Sequence, residues 1–412
     1  MKGLDQLNLT SPEVLSDPYV VYAELRREGG ILWSQQHRAW LVSSYEFVRA
    51  LLSHPAVSAE KITPFAKNTP PDLRAKIDVM QAVMKDWVVF NDPPQHTRLR
   101  KVLQKGFMPR NIALLEPKVR DATRKLLDDL SGRETIEFTA ELAYRLPAIV
   151  LCDLFDIPRE DSEMVRGWAE EMTKFILGSP SSEKYDATMG SLLRMRDYFA
   201  AKVEARKAAP RNNRDFVDVL LESQSEPGGL TDAEIVASLV LIVFGGHETT
   251  GNMIANAMRV LIDRKDLMRA LQRDPTRIAP ALEELMRFDG PTPVVTRVAK
   301  TDIEIGGEKI SAGNRIFLIL HAANHDESMF EHPETPNFDR PKCPHLQFGQ
   351  GPHTCLGAPL ARLEGRVVFE ELLSRYADFE LTEPVLEWRD ELMTRGAKRL
   401  MVRMLPTAVS HE

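Results

Sequence analysis

The sequence predicts a mainly α protein with a small β region, on three observations. Helical apolar periodicity recurs from Pro18 to Tyr376, with Pro and Gly marking the segment ends. Strand patterns are few and mostly late. No regular alternation of strand and helix is present, which disfavours a doubly wound sheet. In chain order, the periodicity predicts helices over Pro18–Arg27, Tyr45–Leu52, Arg98–Phe107, Leu114–Leu130, Ala140–Phe155, Asp161–Leu177, Ala187–Lys207 and Asp215–Ser223. It continues with Asp232–Arg264, Lys265–Arg273, Arg277–Phe288 and Leu360–Tyr376. Thr231-Asp-Ala-Glu234 is a capping box, so the start of the longest helix is well specified. Ile303–Ile305, Gly306-Gly307 and Lys309-Ile310 read as a hairpin, Arg315–Leu320 as a β-rich run and Trp40–Val42 as an early strand. Ser58–Pro94, with Pro64, Pro70, Pro71, Pro93 and Pro94, reads as a long loop carrying the apolar residues Val83, Met84, Trp87, Val88, Val89 and Phe90. Such a loop either covers a binding site or packs on a nearby core.

The 412 residues carry 53 Lys plus Arg against 60 Asp plus Glu, a net charge of −7, with 43% hydrophobic and 27% charged residues. This is the composition of a soluble globular chain and excludes a disordered one. The acidic balance disfavours binding nucleic acid by bulk charge. Cys152, Cys343 and Cys355 are too few, and odd in number, for a disulfide scaffold. They fit a reducing compartment. The start lacks a basic segment leading into an apolar one, so no secretory signal is expected. The most apolar stretch, Ile235–Gly246, runs straight into His247 and Glu248, short of the ~20 apolar residues of a membrane span. A cytoplasmic protein without a membrane span is expected.

Three stretches could carry chemistry. Gly245-Gly246-His247-Glu248-Thr249-Thr250 interrupts the long helix with residues that helix propensity would not choose. Paired Gly and Thr back-bonding loosen the hydrogen-bond ladder and invite a kink. The segment is either a groove for a flat ligand, with Glu248 and Thr249 handling protons, or a close helix contact at Gly with an exposed Glu. Glu284 and Arg287 place opposite charges three residues apart on one helix face, a pattern common on exposed helices. Phe348-Gly349-Gln350-Gly351-Pro352-His353-Thr354-Cys355-Leu356-Gly357 is a tight loop around one Cys, followed at once by a helix from Ala358. A thiolate there gains from the helix N-terminus and suits an axial haem ligand. A zinc site from Cys343-x-His345 and His353-x-Cys355 does not have the usual paired-Cys spacing.

Phe348–Gly357 resembles the cysteine-ligand loop of the cytochrome P450 family, F-G-x-G-x-H-x-C-x-G, at every fixed position. Gly245–Thr250 resembles the family's oxygen-activation segment, Glu284–Arg287 its Glu-x-x-Arg, and Asp92–Arg100 its haem-propionate helix. The resemblance spans roughly residues 15 to 405. It implies one mainly α domain over 1–412, with residues 1–14 and 406–412 as loose ends, although length alone suggests two or three domains. It implies heme b with Cys355 as the iron ligand, and a cofactor shell of His96, Arg100, Gly245, Gly246, Arg297, Phe348, Gly349, His353 and Gly357. Glu248 and Thr249 become the proton-handling pair. Glu284 and Arg287 become structural residues. Two departures concern that last pair: Asn337, where the family often has Arg, precedes Phe338-Asp339, and the stretch from Phe338 to His345 is short.

The activity implied is a monooxygenase that takes two electrons from a ferredoxin, itself served by an NAD(P)H-dependent reductase. It would insert one oxygen atom of O2 into a hydrophobic small molecule by hydroxylation or O-dealkylation. A peroxide-driven peroxygenase and a non-catalytic haem carrier are the alternatives; neither needs the Glu-Thr pair. Arg98, Arg100, Lys101, Lys105 and Arg110 lie in a stretch without acids and, with Arg362 and Arg366, suggest a face for an acidic ferredoxin. Val88, Val89, Leu241, Ile242, Phe244, Val294, Val295, Leu392 and Met393 are the pocket residues expected by analogy, alongside Gly245.

Overall fold

The computed structural model describes residues 3–60, 71–176, 182–209 and 215–407. Its centre is the helix Asp232–Asp263, whose capping box forms as expected. The Thr231 hydroxyl accepts from the Glu234 amide, and Glu234 accepts from the Thr231 amide at 2.9 Å. By length and composition this helix could cross a membrane, yet it is the mostly buried helix of the core. Helices Ser182–Ala208, Ser162–Ile176, Arg145–Phe155, Ile278–Asp289 and Ala358–Arg375 pack around it. Removing that much apolar surface from water is what holds the helix in place. Gly251 permits one of the closest approaches, since a Cβ there would lie 2.3 Å from the Tyr144 ring.

The β portion has three parts. A five-stranded sheet runs in the order Ile31–Ser34, Ala39–Val42, Arg315–Ile319, Val294–Ala299, Val57–Ser58, with only the Ala39–Val42/Arg315–Ile319 pairing parallel. A second sheet joins Thr135–Glu137, Met401–Pro406 and Tyr376–Leu381. The expected hairpin pairs Ile303–Ile305 with Glu308–Ile310, and its two-residue turn puts Gly306 and Gly307 at φ of 61° and 80°. Positive φ at both positions is the type I′ geometry that only Gly adopts cheaply.

Several expectations need correction. Ser58–Pro94 is not a long loop: it contains the helix Pro71–Met84 and a single turn at Val88–Phe90. Pro64 and Pro70 fall outside the described residues. Its apolar patch is core, with Val83, Met84, Trp87, Val88 and Phe90 buried and Val89 39% exposed. Trp87 stacks on both Phe90 and Phe244, which joins this segment to the long helix. The span Leu114–Leu130 begins its helix at Glu116, after a short separate helix at Pro109–Ala113. Ala140–Phe155 opens with a wide turn, Thr139–Ala143, before the helix Arg145–Phe155. Leu320 starts a short helix instead of ending a strand. Leu177, the expected end of the Asp161 helix, lies outside the described residues, as do residues 408–412. At the other end of the chain, Leu9 and Val14 are buried.

Candidate functional site

The Cys355 loop owes its shape to two positive-φ glycines, Gly349 at 66° and Gly351 at 73°, around a single turn at Gly351–His353. The Cys355 amide donates to the Phe348 carbonyl at 2.7 Å, which closes the loop. Arg362, one turn into the following helix, sits 4.5 Å over the Phe348 ring. The Gly357 and Ala358 amides face the thiol, as expected at a helix start. Burial nevertheless pushes the thiol up, outweighing those amides and the nearby Arg100 and Arg362 charges. Cys355 is also solvent-accessible. A group both desolvated and accessible borders an internal space; Cys152 and Cys343, by contrast, are thiols pushed up to about 12 by burial.

Two arginines and two histidines surround that loop. His96 and His353 lie with ring centroids 4.1 Å apart. Among the described residues neither nitrogen of buried His96 has a partner at hydrogen-bond geometry, although the Pro352 carbonyl is close. Burial and the neighbouring charges of His96 and Arg297 push His353 down to about 3. Arg100 donates to the Thr354 carbonyl at 2.6 Å. Arg297 donates to the Thr296 carbonyl at 2.8 Å and forms no salt bridge among the described residues; burial lowers it to about 10. Two guanidinium groups and two imidazoles form an anion site, with Asp92 the carboxylate whose charge reaches His96, Arg297 and His353.

On the long helix, Gly245 is exposed, and a Cβ there would meet nothing within 4 Å. The helix runs from Asp232 to Asp263 as one element. The expected back-bond is present, with the Thr249 hydroxyl donating to the Gly245 carbonyl at 2.7 Å. Glu248 is buried, so the reading of an exposed Glu fails. Burial raises it to about 7, the nearby Glu391 charge adding to the rise and Arg389, Thr173 and Asn252 opposing it. Gly246 does meet a neighbour, with Leu151 3.3 Å from its would-be Cβ. Leu241, Ile242 and Phe244 are half-buried on the turns before Gly245; Val295, Leu392 and Met393 are half-buried and Val294 is buried.

Glu284 and Arg287 are not an exposed helix pair. Both are buried, at 1% and 0% exposure. Glu284 accepts from Arg287 at 2.8 and 2.9 Å, from the Asn337 amide at 2.9 Å and from Arg340 Nε at 3.1 Å. Burial alone would raise its carboxyl, but these donors hold it below the usual range. Arg340 is therefore the second arginine of the network, three residues beyond Asn337, whose side chain instead caps the Asp339 amide at 2.9 Å. The sequence pattern points to the position before Phe338, whereas Arg340 lies two residues after it. Arg287 also donates to the Asn324 carbonyl, and Asn324 accepts from the Leu346 amide at 2.7 Å, which ties this network to the Cys355 loop. Cys343 lies 3.4 Å from Glu284, and His345 pairs with Glu283 at 3.2 Å. Among the described residues no group of three or more His, Cys, Asp or Glu could hold a metal ion, so the zinc arrangement is not formed.

The basic stretch is largely paired with acids from elsewhere in the chain. Arg98 pairs with Glu234, Lys105 with Glu226, Arg362 with Glu283, and Arg366 with Glu116 and Glu370. Lys101 and Arg110 remain exposed, with no salt bridge among the described residues.

A family model described as Cytochrome P450 matches residues 18–394. Among curated relatives, the biotin biosynthesis cytochrome P450 of Bacillus subtilis (strain 168) is 32% identical over 387 residues, covering 92% of this chain and 93% of its own. Vitamin D(3) 25-hydroxylase of Pseudonocardia autotrophica is 32% identical over 409 residues, 98% of each chain. Among solved structures, P450BioI in complex with hexadec-9Z-enoic acid-ligated acyl carrier protein matches with a TM-score of 0.88 at 29% identity, over 96% of this chain and 100% of its own. CYP109E1 from Bacillus megaterium in complex with testosterone matches with a TM-score of 0.84 at 27% identity, over 95% and 99%.

Proposed function

The chain belongs to the cytochrome P450 family and is a heme b monooxygenase, and we propose that Cys355 is its iron ligand, with Glu248 and Thr249 handling protons. The residues fit the group. Haem is an apolar disc with two carboxylates and an iron that takes a soft ligand. The anion site formed by His96, Arg100, Arg297 and His353 suits the propionates, and the buried nitrogens of His96, without a hydrogen-bond partner among the described residues, are disposed toward such a group. The open side of Gly245 leaves room for a flat ring, and Cys355 borders an internal space.

When bound, the haem supplies an oxygen-activating iron and takes up electrons one at a time. The chain's own contribution is positional and protic. Gly357 and Ala358 amides, with Arg100 and Arg362, stabilise negative charge on the Cys355 sulfur. Arg100 and Arg297 neutralise the propionates and fix the ring's orientation. Thr249 Oγ1, one turn from the Gly245 carbonyl, holds a proton at the edge of the space, and Glu248 replenishes it from behind. A carboxyl near 7 can both give and take a proton at neutral pH, as a relay requires.

The substrate is a hydrophobic small organic molecule, hydroxylated or O-dealkylated over Gly245. Leu241, Ile242, Phe244, Val295, Leu392 and Met393 would line its pocket, with Val294 buried behind them. The fatty-acyl, vitamin D and testosterone ligands named for the relatives support this class. A ferredoxin with its NAD(P)H-dependent reductase supplies electrons in the cytoplasm, approaching the exposed Lys101 and Arg110.

The single observation that carries this reading is the Cys355 loop, a desolvated yet accessible thiol beside a site of two arginines and two histidines. The CO-difference spectrum of the reduced protein tests it. Wild type should show the thiolate-type Soret band, and Cys355→Ala should abolish it. A wild-type band of the imidazole type would overturn the assignment.

A further inference from the structure

Residues 388–397 form neither helix nor strand beyond a single bridge between Trp388 and Ala397, yet Glu391 and residues 394–397 are buried. A buried segment without ladder hydrogen bonds must satisfy its backbone groups by other ties. Most of these converge on Arg395. Its amide donates to the Pro291 carbonyl at 2.9 Å, and its carbonyl accepts from Asn256 of the long helix at 2.9 Å. Its guanidinium donates through Nε to Asp289 at 2.7 Å and through Nη1 to the Leu15 carbonyl at 2.7 Å. It also lies 3.5 Å over the Trp388 ring. Asp289 is itself a junction. It is buried, and accepts from Arg259 of the long helix at 2.7 Å and from the Tyr19 hydroxyl at 2.5 Å. One carboxylate thus ties the end of the helix Ile278–Asp289 to the long helix, to the helix Pro18–Arg27 and to residue 395.

Just before Arg395 the segment makes a tight tip. The Thr394 hydroxyl donates to the Glu391 carboxylate and so brackets Leu392 and Met393, which stay half-buried between buried neighbours. Across the tip, the Thr296 hydroxyl donates to the Met393 sulfur at 3.8 Å. Thr296 lies on the strand Val294–Ala299, next to Arg297 of the anion site. The tip therefore stands between the Asp289 junction and the strand that carries a proposed haem contact. Packing alone does not hold it there, because a cavity of ≈ 20 Å³ remains among Val14, Leu15, Tyr22, Leu392 and Arg395.

We propose that Arg395, locked by Asp289, is a positioning residue that sets where Met393 stands against the substrate, and so governs discrimination among hydrophobic ligands. The inference rests on the reading of Leu392 and Met393 as pocket residues given above. A Met side chain has three rotatable bonds and adapts to what it meets, so a Met wall selects by shape only where its backbone is fixed. The planar fork of Arg395 holds Asp289 and the Leu15 carbonyl at once, which an ammonium on a flexible stem cannot do. Through Leu15 and Tyr19, the N-terminal segment becomes part of what holds the substrate wall in place.

The test compares Arg395→Lys, Met393→Ala and the double variant in haem-loaded protein by two measurements. Amide hydrogen exchange over residues 386–397 reads the order of the segment. Titration with imidazole and with 4-phenylimidazole, followed by the Soret shift, reads the wall, since the ratio of the two affinities isolates the phenyl group. Arg395→Lys should speed exchange in the segment about tenfold, the loss of one charged hydrogen bond, and leave the helix Asp232–Asp263 unchanged. The affinity ratio should shift by about threefold or more, with imidazole itself binding as in wild type. In the Met393→Ala background the same substitution should leave the ratio alone, because the side chain it acts through is gone. Thr394→Val opens the bracket with the buried charges intact; it should give the same shifts more weakly, and serves if Arg395→Lys folds poorly. Exchange as slow as in wild type in both variants overturns the positioning role. So does a ratio that moves in Met393→Ala but in neither Arg395→Lys nor Thr394→Val, or one that Arg395→Lys shifts equally in both backgrounds. A ratio unmoved by Met393→Ala sinks the placing of Met393 in the pocket instead, and the inference with it.

Discussion

Glu248→Gln should stabilise the protein in a pH-dependent way while impairing its chemistry. The folded environment moves Glu248 from 4.5 to about 7, chiefly by burial and secondarily through Glu391. At about 1.4 kcal/mol per pH unit, ionising it in place costs about 3 kcal/mol more than in the unfolded chain. The sign follows from proton counting. Between pH 4.5 and 7 the folded state keeps a proton that the unfolded state has released, so this group's contribution falls as pH rises and reaches its full cost above 7. Gln cannot ionise, has nearly the same shape and can still meet Thr173 and Asn252. Its stability advantage should therefore be small near pH 5 and grow by about 2–3 kcal/mol by pH 8. Urea unfolding of both proteins at several pH values, with equal m-values as the control, reads this directly. An advantage independent of pH, or one that grows toward acid, would refute the buried, elevated carboxyl.

Removing the Glu284 carboxylate should be severe, because it leaves Arg287 and Arg340 buried without their partner. Glu284→Ala should cost about 3–5 kcal/mol in chemical denaturation, and haem retention should fall with it through the Asn324–Leu346 link. Arg297→Ala removes a buried guanidinium from the anion site; losing one charged hydrogen bond of about 1.5–3 kcal/mol should speed haem transfer to an acceptor apoprotein by roughly 10–100-fold. Charge reversal at Lys101 and Arg110 together should slow reduction by ferredoxin at low salt, and the difference should shrink as salt rises; reversal at the paired Arg98 should instead destabilise the Glu234 contact.

Much of the fold and the residues of the proposed site were legible in the sequence because both rest on local rules. Helical periodicity, the Thr231–Glu234 capping box and the Gly306-Gly307 turn each depend on residues a few positions apart. The Cys355 loop is likewise local, since its glycines and the following helix start are contiguous. Burial decided the rest. Glu284 and Arg287 have the spacing of an exposed pair, and only Asn337, Arg340 and the Asn324 carbonyl arriving from distant segments make them a buried network. The Pro71–Met84 helix hid between prolines. The acid-free stretch from Pro93 to Leu115 looked like an open basic face, yet Glu234 and Glu226 close over Arg98 and Lys105.

The sequence by itself determined the family and singled out the Cys355 loop and the Glu248–Thr249 pair proposed above to hold the haem and handle protons, because those chemistries require particular residue types at short spacing. Only the tertiary structure decided which charges are buried. It brought Glu391 and Arg389 from the far end of the chain onto Glu248, and desolvation there, which no local pattern encodes, turns an ordinary carboxyl into one that titrates near neutrality.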